Sequence, residues 1–226
     1  MRPPARLPSP FPGSCLWALL AFPAAFGCAA PAGAASLAIH VQASDGKALA
    51  GAVITARPLD GSPKHAAPVH AVMDQLDRAF TPDLLVVPAG STVVFPNSDS
   101  VSHQVYSFSS AKRFQLPLYR GKPYPPVLFD QPGVITLGCN IHDEMLAYLV
   151  VTDAPYFGRT DSAGSWSVEL GPGRYRVTIW HPRLHAEAAD VEREFTVGSD
   201  DRADFTIRLA KPLQPAPLER PHSWDY

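Results

Sequence analysis

Sulfur is scarce in this chain. Three cysteines and three methionines occur among 226 residues, and Cys15 and Cys28 fall within an N-terminal segment with the features of an export leader. Charge of either sign is scarce too: 19 basic against 21 acidic residues give a formal net charge of −2. With no basic stripe, a nucleic-acid partner is not expected. Long helix-periodic stretches are missing, and 25 prolines favour turns and strand edges over long helices. The sequence contains no nucleophile elbow, phosphate loop, zinc-hydrolase helix or repeated carboxylate pair, so hydrolase and kinase chemistry have no starting residue.

What is present begins with the leader. Arg2 and Arg6 precede an apolar run from Leu16 to Ala30, followed by the small residues "APAGAAS". This order of basic, apolar and small residues reads as a cleaved secretory signal over residues 1–35, cut after Ala34 or Ala35. Pro23 interrupts the run, which falls short of the roughly 20 apolar residues that span a bilayer, so no integral membrane span is expected. The expected location is periplasmic. Acylation of Cys28 in "AFGC" is the lesser alternative, because Phe26 stands where such sites favour small or β-branched residues. After cleavage Cys139 is alone and cannot form an internal disulfide. A lone thiol in an oxidising compartment is either buried and inert or occupied.

The remaining chain reads as all-β. Period-two or β-branched segments such as "LAIHVQA", "GAVITARP", "DLLVVPAGSTVVFPN", "VITLGC", "LAYLVVTD", "SWSVEL", "RYRVTIW" and "ADFTIRL" are divided by turn signals at Asp45-Gly46, Ala89-Gly90, Pro132-Gly133 and Gly171-Pro172-Gly173. One stretch, "HAAPVHAVMDQLDRAF", could host a helical turn, limited by Pro68. The Pro-rich tail 211–226 reads as a frayed end.

The chemistry concentrates in "LGCNIHDEML". Cys139, His142 and Met145 lie three positions apart between two strand-like segments, and His103 follows "VVFPNSDSVS" about 36 residues upstream. A type 1 copper site needs two imidazoles and a thiolate in a near-trigonal plane with a weak axial thioether, and these four residues supply each ligand type. Three ligands from one tight loop converge if the loop joins two strands at one end of a sandwich. The fourth then comes from a neighbouring strand at that end. Soft sulfur suits Cu(I) and imidazole suits Cu(II), so one copper held this way favours one-electron exchange.

These motifs resemble the cupredoxin family, a Greek-key β-sandwich, over about residues 69–153. The Cys-x-x-His-x-x-Met spacing is similar to that of amicyanin-like members, and "FPNSDSVSHQVYSFS", "GCNIHDEM" and "WHP" together resemble bacterial proteins of the plastocyanin-like or methylamine utilization type. The resemblance implies one type 1 copper bound by His103, Cys139, His142 and Met145, with Asn97 and Gln104 supporting the ligand loops. It also implies a redox protein partner such as a c-type cytochrome or a dehydrogenase. Two positions depart from the family pattern. Gln104 replaces the usual Asn after the first histidine, and Ile141 and Asp143 replace the prolines flanking the second. With Glu144, Asp143 forms an acidic collar that would favour a basic partner.

The flanks carry a second pattern. Gly46, Leu49, Gly51 and Ala52, then Thr160, Asp161, Gly164, Trp166, Gly173 and Tyr175, resemble the two halves of a carboxypeptidase regulatory-like, transthyretin-like β-sandwich. Residues 36–62 and 156–210 are therefore expected to form one split sandwich with the copper domain inserted in it, or else the two domains pack side by side. His65 and His70 could contribute to a second metal site, whereas His181 is expected to cap or pack near Trp180, and His185 and His222 to lie at the surface. Tyr106, Phe108, Phe114 and Tyr119 are expected as core and rim aromatics. A copper oxidase or nitrite reductase would need further histidine clusters, so an enzyme is not expected. The leading expectation is a periplasmic electron carrier. The alternative is a copper-holding or copper-delivery protein without electron shuttling.

Overall fold

A computed structural model describes residues 35–61, 64–184, 191–198 and 200–208, and within them all regular structure is β. The expectation of an all-β chain holds. The expected tail 211–226, the leader cysteines, His185 and His222 lie outside the described residues. Ala35, the last residue of the expected leader, begins the first strand, where it is buried and pairs with Leu170.

The stretch read as a possible helical turn is extended. It forms β3 (His70–Val72), β4 (Asp74–Leu76) and β5 (Ala79–Thr81). The reason is local: Asp77 and Arg78 both take positive φ, 51° and 57°, the backbone of a two-residue hairpin turn. Met73, Gln75 and Phe80 then point inward at alternate positions, and β4 pairs antiparallel with β5.

Ten strands build the sandwich that carries the candidate site. Besides β3 to β5 these are β6 (Leu84–Pro88), β7 (Ser91–Val94), β8 (His103–Ser109), β9 (Lys112–Tyr119), β10 (Val127–Phe129), β11 (Gly133–Gly138) and β12 (Leu146–Thr152). One sheet has the order β6-β12-β11-β8-β9 and another β10-β7-β3. Alternation sets which side chains enter the core: Val105 from β8, Ile135 and Leu137 from β11, and Ala147, Leu149 and Val151 from β12 are all buried. Phe95 and Phe129 fill the centre with Phe114, their ring centroids 5.8 to 6.4 Å apart. Cys139 and Met145 belong to this same core, at one end of it.

The remaining strands are β1 (Ala35–Ala43), β2 (Val53–Pro58), β13 (Tyr156–Arg159), β14 (Ser165–Leu170), β15 (Gly173–Trp180), β16 (Glu192–Val197) and β17 (Asp200–Ile207). They form sheets of order β14-β1-β17 and β13-β2-β15-β16 around a second apolar core that includes Leu37, Ile39, Ile54, Val177 and Phe205. Thr160 joins this sandwich's sequence-distant parts: its hydroxyl donates to Leu49 O at 2.6 Å and accepts from Ala52 N at 2.9 Å. Gly164 is required beside it, since φ is +72° and a Cβ there would meet Val41 O at 2.3 Å.

A small apolar contact joins the two sandwiches. Val53 packs with Leu84 and Val150, and the Tyr148 and Trp180 rings meet edge to face at 5.4 Å. Arg159 donates to Leu84 O at 2.9 Å, and the Arg57 guanidinium forms a two-pronged ion pair with the Asp153 carboxylate. The second sandwich thereby covers the β6–β12 side of the five-stranded sheet's outer face.

Candidate metal centre

Three ligand-type side chains converge at one end of the first sandwich. His103 opens β8, and Cys139 immediately follows β11. His142 lies in the short turn before β12, closed by a hydrogen bond from Met145 N to His142 O at 3.0 Å. His103 Nδ1 and His142 Nδ1 are 3.1 Å apart, and Cys139 Sγ lies 4.0 Å from the first and 3.8 Å from the second. Among the described residues, these three form the cluster suited to holding a metal ion.

The separations can be tested against coordination geometry. Bond lengths of about 2.05 Å to nitrogen and about 2.3 Å to sulfur, spread over a trigonal plane, put the nitrogens about 3.5 Å apart and each nitrogen about 3.8 Å from sulfur. The observed triangle matches within a few tenths of an ångström. The donor set of two imidazoles and one thiol is the trigonal set of a blue-copper site. The residues fit copper.

Protonation supports the same orientation. His103 Nε2 sits 2.9 Å from Asp99 Oδ2, and His103 is fully buried. An ionised carboxylate only accepts, so Nε2 carries the proton and Nδ1 turns its lone pair toward Cys139 and His142. Asp99 is held well below the ordinary carboxylate range, first by the hydrogen bond from His103 and then by the backbone N–H groups of Arg78 and Ser100. The β4–β5 turn is thus tied to the first ligand loop. Asn97 braces that loop: its amide donates to Val101 O at 3.0 Å and Tyr119 O at 2.8 Å, and its carbonyl oxygen accepts from Asp99 N at 3.0 Å.

Position 104 acts through its backbone. Gln104 N lies 3.5 Å from Cys139 Sγ, a contact that any non-proline residue could make. Met145 is buried at 2 % exposure in the core that contains Cys139, and its backbone closes the His142 turn. His142 is half-buried, while Ile141, Asp143 and Glu144 around it are exposed.

The other residues singled out from the sequence have structural partners. His65 Nδ1 is 2.8 Å from Asp153 O, and His70 Nδ1 is 2.6 Å from Thr92 Oγ1. His181, next to Trp180, accepts from Arg183 N at 3.1 Å and caps its own turn. Tyr119 is buried opposite His103 and donates to Phe95 O at 2.5 Å, with Gln75 Nε2 also 2.5 Å from its hydroxyl. Burial pushes this phenol up to about 12. Phe114 is partly buried against the core and Phe108 is 74 % exposed. Sequence reasoning missed Asp99 and the Arg78 N–H. An aspartate four residues before a ligand histidine was the available signal.

No known family pattern matches the chain, and no curated protein does. Similar solved structures include a purple cupredoxin from Nitrosopumilus maritimus, 24% identical over 36% of this chain and 99% of its own, with a TM-score of 0.33. A reduced amicyanin is 22% identical over 43% of this chain and 99% of its own, with a TM-score of 0.33. A copper-containing nitrite reductase from Thermus scotoductus is 24% identical over 42% of this chain and 25% of its own, with a TM-score of 0.35. Among the described residues no helix is long and apolar enough to cross a membrane.

Proposed function

We propose that this protein is an exported, periplasmic type 1 copper protein that carries one electron at a time. The observation that carries the reading is the triangle of His103 Nδ1, His142 Nδ1 and Cys139 Sγ at 3.1, 3.8 and 4.0 Å. Bound copper would supply a one-electron couple between Cu(II) and Cu(I). The chain's own residues do the rest. Asp99 fixes the proton and the ring of His103, the Gln104 N–H stabilises charge on the Cys139 sulfur, and Met145 is the candidate axial ligand from within the core.

Ligands set at the ends of paired strands of a closely packed sandwich resist rearrangement, which suits a site that changes charge without changing shape. With four protein ligands the centre would keep no open position for a substrate, so the role proposed is transfer and not catalysis. His142, half-buried among exposed Asp143 and Glu144, is the side from which an electron would leave toward a basic redox partner, such as a c-type cytochrome or a dehydrogenase. The strands flanking residues 70–152 are proposed to be one split domain that orients the copper-bearing sandwich.

Reconstitution with Cu(II) tests the reading. An intense thiolate-to-copper absorption band with narrow copper hyperfine splitting, lost in Cys139→Ser, is the expected result. Uptake of Cu(I) alone, without colour, would replace electron transfer by copper holding or delivery. Persistence of the band in the serine variant would remove Cys139 from the site.

A further inference from the structure

The outer face of the five-stranded sheet is covered only in part. On the β6–β12 side it packs against the second sandwich through Leu84, Val150, Tyr148 and Trp180. On the β8–β11 side it lies open as a groove of about 330 Å³ lined by Tyr106, Phe108, Thr136, Gly138 and Leu146. Phe108 is 74 % exposed and Leu146 51 %, and the Tyr106 and Phe108 rings lean on each other at 5.2 Å. Gly138 makes the groove possible, because a Cβ there would come within 2.9 Å of the Tyr106 ring. An exposed aromatic patch continuous with an existing sandwich contact is a candidate for docking.

Strand register and the turn before β12 set charges of opposite sign toward its two ends. Phe108 pairs with Arg113 on β9, which puts Arg113 on the groove's face at the outer edge of the sheet. Leu146 pairs with Gly138, which in turn pairs with Tyr106, and Asp143 and Glu144 lie in the turn three and two residues before Leu146, toward the diagonally opposite corner. Arg113, Asp143 and Glu144 are exposed, and none forms an ion pair among the described residues. The surface thus carries both signs of charge about an aromatic centre. Turned over by a two-fold axis lying in the sheet plane across that diagonal, it meets a copy of itself, aromatic centre on aromatic centre and Arg113 against the acidic corner.

We propose that this groove is an isologous contact in which a second copy of this chain docks. The association uses the sheet's face and not its free β9 edge, since Lys112, Arg113 and Pro117 on that strand oppose pairing with another strand. It does not depend on whether the centre binds copper. It does place the acidic corner inside the contact, so self-association and docking of a basic partner at Asp143 and Glu144 exclude each other.

Sedimentation and small-angle scattering of the whole exported chain, from roughly 1 μM to 1 mM at low and high salt, test the proposal. The expected result is a salt-sensitive monomer–dimer equilibrium that Phe108→Ser and Arg113→Glu each weaken about tenfold or more. Arg113→Glu combined with Asp143→Arg and Glu144→Arg should restore it, because the swap recreates the pairing with signs exchanged. All these residues are exposed, so circular dichroism should show every variant folded. A monomer at all concentrations would overturn the proposal, including one that binds only a different protein through the groove. So would a dimer indifferent to both single substitutions, or a charge swap that restores nothing.

Discussion

The two sandwiches bury polar side chains for different ends. In the flanking one, Thr160 is buried to join backbone to backbone, between Leu49 and Ala52, inside an otherwise apolar core. In the other, three of the buried polar residues, Gln75, Asn97 and His103, gather near one end. Asn97 ties down the loop that carries His103, and Gln75 contacts the Tyr119 hydroxyl behind it. A buried polar group without a partner costs about 1–3 kcal/mol, and among the described residues Gln75 Oε1 is a buried side-chain atom left without one. The flanking sandwich satisfies Thr160 entirely with its own backbone. The other sandwich leaves the Nδ1 atoms of two imidazoles and one sulfur facing each other, a cluster that a cation would satisfy.

The sharpest way to break this contrast is to damage one sandwich and read the other. Phe205→Ala, in the flanking core, should cost about 3–5 kcal/mol in urea unfolding while the copper spectrum of the folded fraction stays unchanged. A spectrum that shifts with it would mean the two cores are one cooperative structure. Asp99→Ala should lower copper affinity about 10- to 100-fold in competition with a chelator, with Asp99→Asn recovering part of the loss by still accepting from His103. Equal loss in both would move the role of Asp99 from its hydrogen bond to its charge. Thr160→Val should cost about 1–3 kcal/mol in the thermal or urea midpoint and leave copper affinity unchanged.

The smallest effect concerns pH. Burial, then the nearby Arg183 and Arg159 cations, brings His181 down from 6.5 to about 4. The folded state thus binds this proton less readily than the unfolded chain. The stability contribution is complete above about 6.5 and fades as pH falls through about 4. Replacing His181 with Asn should flatten that part of the stability profile, and an unaltered slope in the variant would assign the loss to other groups.

Much of this was legible in the sequence because strands and ligand loops leave periodic traces. The alternation in "LAIHVQA" and "VITLGC" identifies strands, and Cys139, His142 and His103 are chemically unusual residues at spacings that imply one loop and one neighbouring strand. The residues around 70–81 were harder. Asp77-Arg78 is not a common hairpin turn pair, so nothing local announced the positive φ values that fold the segment back. Asp99 was silent for another reason: an aspartate in a loop is ordinary, and its meaning depends on His103 turning one nitrogen outward to meet it. At position 104 the sequence drew attention to a side chain, whereas the contact with Cys139 belongs to the backbone, which one-letter codes do not display.

The chain passes between the sandwiches twice, out after β2 and back before β13, and these two strands pair with each other. Arg57 and Asp153 clip the outgoing and returning segments together. A single tether lets a domain swivel, but two parallel tethers fastened side by side resist twisting. The His103–Cys139–His142 end of the first sandwich is consequently held at a set bearing relative to its neighbour, like a lamp on a two-arm bracket, and whatever grips the neighbour also aims the lamp.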